Sequence, residues 1–268
     1  MNVLEVNNLT IEFKSERVFL PAVTDVSFHL GKGEILALVG ESGCGKSISC
    51  MSLARLLPTP PARIPRGEVL LTRRDGTTED VMKLSPRQLR KIRGGEIAYI
   101  FQEPSVSLNP VFRVGAQIAE AIELHRPDVA DVGAEVVELL RQVGIPGPEE
   151  RARLYPHEMS GGMQQRVGIA AAMLLRPGVL FADEPTAALD VSVQKQVLEE
   201  LLLLRKTYGT AIVLVAHTIG VIGAMADRVL VMQDGRTVEY GETQTVLHDP
   251  QASYTRMLLS AVPRLRRA

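Results

Sequence analysis

Gly40-Glu41-Ser42-Gly43-Cys44-Gly45-Lys46-Ser47 stands between the apolar run Ile35–Val39 and an apolar segment of helical pattern. Glycine at the first and sixth places, followed by lysine and serine, is the eight-residue phosphate-loop pattern, and a strand before it with a helix after it is the context the pattern requires. The glycines let successive backbone N–H groups turn inward on phosphate oxygens. Lys46 would neutralise the β- and γ-phosphates, and the Ser47 hydroxyl would ligate Mg²⁺. The rival reading is a glycine-rich turn that matches by chance.

Around this loop, short β-branched runs (Glu34–Val39, Glu96–Phe101, Val179–Asp183, Ala211–Ala216, Arg228–Met232) alternate with amphipathic helical stretches. The alternation implies a mostly parallel sheet covered by helices, an α/β fold. Val3–Phe13 and Asp25–Leu30 read instead as alternating strands, so the first part of the chain is expected to add a small antiparallel layer. Prolines 58, 60, 61 and 65 break the chain over Leu57–Arg66, ending the helix after the phosphate loop. A second break falls at Glu103–Pro110, and beyond it the strand signal disappears until Ser160. Helical patterns over Val114–Leu124 and Val132–Val143 make residues 103–160 a helical insertion in a single 1–268 domain. Ser85-Pro86 has the form of a capped helix start, and Asp234-Gly235 marks a hairpin turn.

Composition narrows the partners. With 46% hydrophobic residues in 268 the chain can fill a sizeable core, and 30 Lys and Arg against 31 Asp and Glu give no field that favours nucleic acid. No apolar run approaches the roughly 20 residues that span a bilayer, and the first ten residues show no signal pattern. A protein peripheral to a membrane, or free of one, is expected. Cys44 and Cys50 are too few for a disulfide scaffold or a four-ligand metal site. Cys44, set among inward-pointing N–H groups, is expected to be reactive, with ATP protecting it from alkylation. The basic tail Pro263–Arg267 reads as a solvated terminus.

Two further segments carry chemistry. Val179–Asp183 followed by Glu184 is an apolar strand that delivers two adjacent carboxylates at its end. Mg²⁺ held through Asp183 would offset the repulsion, leaving Glu184 to polarise an attacking water; the plainer alternative is a strand end with solvated acids. Ser160-Gly161-Gly162-Met163 opens a helix that Ser160 can cap, and the unhindered N–H groups at Gly161 and Gly162 make a second anion site.

In this order the segments resemble the ATP-binding cassette (ABC) proteins over nearly the whole chain, which implies a P-loop NTPase (RecA-like) core. Ser160–Met163 resembles the family's signature sequence, Gln102 the glutamine that contacts Mg²⁺ and the water, Ala188-Leu189-Asp190 the loop that crosses the dimer interface, and His217 the switch histidine that touches the γ-phosphate. Phe19 resembles the adenine-stacking aromatic, with Phe13 open as an alternative. The resemblance implies ATP and Mg²⁺ as ligands and a head-to-tail dimer, each phosphate loop facing the partner's signature helix.

Closer wording, including Phe101-Gln102-Glu103-Pro104, Tyr155–Met163, Ala182–Thr186 and Tyr254-Thr255, is similar to the subgroup that powers import of peptides, nickel and related solutes. That implies permease partners, a second ATPase subunit (the same chain or a paralogue), indirectly a solute-binding protein, and a place on the cytoplasmic face of the cell membrane. Thr218 stands where the subgroup has Asp, and Ala187-Ala188 replaces its threonine. No cysteine-bearing extension follows Pro263, so no iron–sulfur cluster is expected. A carbon–phosphorus lyase subunit and a soluble, non-transport ABC ATPase are the alternatives.

Overall fold

The computed structural model describes residues 1–103, 107–187 and 189–261; Pro104, Ala188 and the basic tail of the sequence reading lie outside them. Ten strands are described: β1 (Asn2–Ser15), β2 (Val18–Gly31), β3 (Ile35–Val39), β4 (Ala62–Thr72), β5 (Thr78–Asp80), β6 (Ile97–Ile100), β7 (Val179–Asp183), β8 (Ala211–Val215), β9 (Arg228–Gln233) and β10 (Arg236–Glu242). The chain divides into two compact units, Met1–Leu89 with the chain from Ala211 onward, and Arg90–Thr210.

In the first unit β3 pairs in parallel with β8 and β9, and β9 pairs antiparallel with β10. Every residue of β3 and β8 is buried, which is why both read as unbroken apolar runs rather than alternating ones. Asp234 and Gly235 close the β9–β10 hairpin with φ of 48° and 75°, the pair of positive values a two-residue turn of this hand demands.

A separate antiparallel sheet runs β2-β1-β4-β5. Its core face uses Leu4 and Val6, then Leu9 and Ile11, all fully buried, so the two-residue period slips once between Val6 and Leu9. Asn8, at φ 52°, takes up the extra residue as a bulge. β2 begins seven residues before the expected Asp25, and β4 begins inside the segment read as a proline break, just past Pro61. Pro65 is tolerated there because β5 pairs only with Leu70–Thr72, leaving the Pro65 side of β4 an edge.

In the second unit β6 and β7 pair in parallel. Helices α3 (Val114–His125) and α4 (Val132–Gln142) follow, and then α6 (Gly161–Leu174) and α7 (Val191–Tyr208), with α5 (Pro148–Arg151) between them in the chain. α1 (Lys46–Leu53), α8 (Ile219–Met225), α9 (Thr243–His248) and α10 (Ser253–Ser260) belong to the first unit, and the division between the units falls within α2 (Pro86–Ile92). No helix among the described residues is long and apolar enough to cross a membrane.

Candidate functional site

The loop from Gly40 to Ser47 leaves the buried end of β3 and delivers Lys46 as the first residue of α1. Gly40, Gly43 and Gly45 have φ of 150°, 82° and 103°, backbone that side chains rarely adopt. Gly40 is also sterically obliged, since a Cβ there would lie 2.2 Å from the Met232 carbonyl oxygen. Lys46 is 5% exposed, and its ammonium donates to the carbonyls of Gly40 (2.9 Å) and Glu41 (2.8 Å). The loop is thus wound around its own lysine. Glu41 and Ser42 are exposed at its rim, and Ser47 is half-buried at the start of α1.

Two distant elements brace this loop. The Gly235 N–H donates to the Cys44 carbonyl (3.1 Å) while its own carbonyl accepts from Thr24 N–H (2.8 Å), tying the β9–β10 turn to both loop and β2. From α10, the Tyr254 hydroxyl accepts the Glu41 N–H at 3.1 Å. Burial, the largest influence, raises the Tyr254 phenol above its ordinary range, so the group is neutral.

Cys44 is 6% exposed and lies 3.6 Å from the Lys46 ammonium. Packed inside the loop, it does not offer the reagent-accessible thiol that the sequence suggests. His217 follows β8 and is exposed; with Thr218, which precedes α8 without a side-chain cap, it lines a cavity of about 410 Å³ shared with Gly40, Glu41 and Leu258. The structure therefore brings His217 and the loop's first residues to one cavity. Phe19 does not line it. Phe19 sits on β2, paired opposite Lys14, with the Arg63 guanidinium 3.6 Å from its ring centre and Arg63 in turn bound to Glu12 at 2.6 Å.

In the second unit β7 ends on Asp183, whose carboxylate is 5% exposed and accepts from the Tyr99 hydroxyl of β6 at 2.9 Å. Glu184 follows at φ 45°, a strained conformation for a non-glycine residue of the kind found at functional sites. Gln102, just past β6, donates its amide to the Glu184 carboxylate at 3.0 Å. Both strands are parallel and in register, so the two ends present their polar residues side by side.

Ser160 caps α6, its hydroxyl accepting from Met163 N–H at 3.3 Å, and both it and Gly161 are exposed. Asp190 caps α7, accepting from the Ser192 hydroxyl (2.6 Å) and the Val193 N–H (3.0 Å). Those bonds, the hydroxyl first, hold its carboxyl below the usual range.

Among the described residues no cluster of three or more His, Cys, Asp or Glu side chains could hold a metal. The sequence assigns Mg²⁺ to Ser47 of the first unit and to Gln102 and Asp183 of the second, a single carboxylate with two neutral oxygens. That donor set fits Mg²⁺, which binds through one or two carboxylates together with substrate phosphates. Nothing local in the sequence marks Tyr99 or Arg63, and Tyr254 is marked only as part of the subgroup wording, with no role at the loop.

The ABC transporter family model matches residues 23–187. The glutathione import ATP-binding protein GsiA of Salmonella choleraesuis (strain SC-B67) is 46% identical over 265 residues, covering 98% of this chain and 42% of that protein. GsiA of Escherichia coli O157:H7 matches with the same identity and coverage. The chain thus spans about two-fifths of the length of these curated relatives.

Among solved structures, the dimeric post-hydrolysis state of the ATP-binding cassette MJ0796 bound to ADP and Pi superposes with TM-score 0.78 at 26% identity, covering 90% of this chain and 98% of that one. cbiO1 from Clostridium perfringens, part of the ABC transporter complex cbiONQ, gives 0.73 at 25% identity, covering 92% of this chain and 91% of that one.

Proposed function

The chain belongs to the ABC transporter family, and from that premise we infer that it is an ATP-hydrolysing subunit of an importer. The observation that carries the reading is the loop wound around buried Lys46, with positive-φ backbone at Gly40, Gly43 and Gly45 of the kind a phosphate-cradling loop uses. Lys46 would neutralise the β- and γ-phosphates of ATP. Ser47, Gln102 and Asp183 would hold Mg²⁺, which when bound spreads the charge of the phosphates. Glu184, oriented by the Gln102 amide, would polarise the attacking water, and His217 would touch the γ-phosphate. Phe19 would stack on adenine.

A second subunit completes this reading. A Cβ at Gly161 would meet nothing, and one at Gly162 only the Leu189 side chain at 3.5 Å, so the chain's own packing does not ask for glycine at either place. Phosphates bound to a partner and closing on the start of α6 would. Ser160, Gly161, Gly162 and Met163 are therefore assigned to the partner's nucleotide, and Asp190 to the dimer interface. The partner is a second copy or a paralogue.

Permease subunits, and through them a solute-binding protein, would be the remaining partners, with the chain peripheral at the cytoplasmic face of the cell membrane. The relatives' role in glutathione import supports a peptide-type solute; nickel and related small solutes stay within the same subgroup. Replacing Glu184→Gln should lower turnover by about 10²- to 10⁴-fold, the usual share of a general base. The same variant should still bind ATP and should form a dimer with it, measured by steady-state ATPase assay and size-exclusion chromatography. Turnover equal to the unmodified protein's would sink the assignment.

A further inference from the structure

We propose that Tyr254 is a positioning residue for the phosphate loop, acting on the Gly40–Glu41 peptide. The inference rests on the nucleotide-binding reading above and adds a residue to it.

That peptide group is held at both ends. Its carbonyl, on Gly40, accepts from the Lys46 ammonium at 2.9 Å, and its N–H, on Glu41, donates to the Tyr254 hydroxyl at 3.1 Å. Gly40 has no Cβ to resist rotation and its φ of 150° lies where glycine moves freely, so the peptide's orientation depends on these two bonds. The next carbonyl, on Glu41, also accepts from Lys46, at 2.8 Å. If the peptide turned, the lysine would lose one of its two backbone acceptors and its ammonium would no longer be aimed.

Tyr254 is equipped for the role. It is 8% exposed, and its element is fixed from outside the loop: Glu239 on β10 accepts the N–H groups of Gln251 (2.8 Å) and Ala252 (3.1 Å), immediately before α10. Arg256 adds a bond to the Pro250 carbonyl at 2.9 Å. The ring is therefore presented to Glu41 by a helix start locked onto the edge strand.

The test is Tyr254→Phe, which removes one oxygen and keeps the ring. Its ATP and ADP dissociation constants should each rise about 3- to 10-fold, the size of one hydrogen bond. The Glu41 amide should exchange faster with deuterium while amides of β3 and α1 keep their protection. Unchanged nucleotide affinity overturns the proposal, as does weaker affinity accompanied by lost protection throughout β3 and α1, which marks general loosening. Failure of the unmodified protein to bind either nucleotide overturns the function proposed above, and this role with it.

Discussion

Asp183 accepts its hydroxyl bond from a residue 84 positions earlier, Tyr99, and the pairing shows what a single side chain contributes at this site. A buried carboxylate that loses a hydrogen bond loses about 1.5–3 kcal/mol of support. Tyr99→Phe should therefore lower turnover about 10-fold and raise the Mg²⁺ concentration for half-maximal activity, measured by titrating the metal at fixed ATP. The places of Lys46, Ser47, Asp183 and Glu184 at a helix start and a strand end were legible because each motif is contiguous and follows an apolar strand. Tyr99 and Tyr254 were not, because their partners are fixed by packing: Tyr254 meets Glu41 across 213 positions. Cys44 shows the same limit in reverse, since the sequence gives its neighbours but not the direction in which the loop turns its thiol.

Among elements, the parallel strands were legible with ends displaced by one residue or so, because a strand buried on both faces is built almost wholly of apolar residues and so announces itself. β4 was not. Pro65 within it and the prolines just before it weigh against a strand in the interior of a sheet, and only the pairing pattern reveals that this stretch has a free edge. The β9–β10 turn was legible from Asp-Gly alone, but its second role was not. A Cβ on Gly235 would lie 2.5 Å from the Ala22 carbonyl oxygen, with φ at 75°. Gly235→Ala should cost about 1–3 kcal/mol of stability through backbone strain. It should also weaken nucleotide binding, because the bond from Gly235 N–H to Cys44 is displaced. Thermal unfolding and a nucleotide titration on the same sample check both halves.

For the molecule as a whole, a ligand that binds only the folded chain stabilises it by mass action. ATP with Mg²⁺ at a hundred times its dissociation constant should add about 2.7 kcal/mol, read as a rise in melting temperature. Lys46→Ala should abolish most of that rise, compared with the same variant's own unliganded melting temperature. The braces on the loop also bear on the order in which the protein is made. Cys44 leaves the ribosome well before the turn that ties it down, Asp234-Gly235, and before the tyrosine that holds Glu41. Contacts so far apart in sequence form late. A nascent chain thus carries the loop's sequence without the loop's shape until those later segments are made, and ATP would gain a grip only once they have closed behind it.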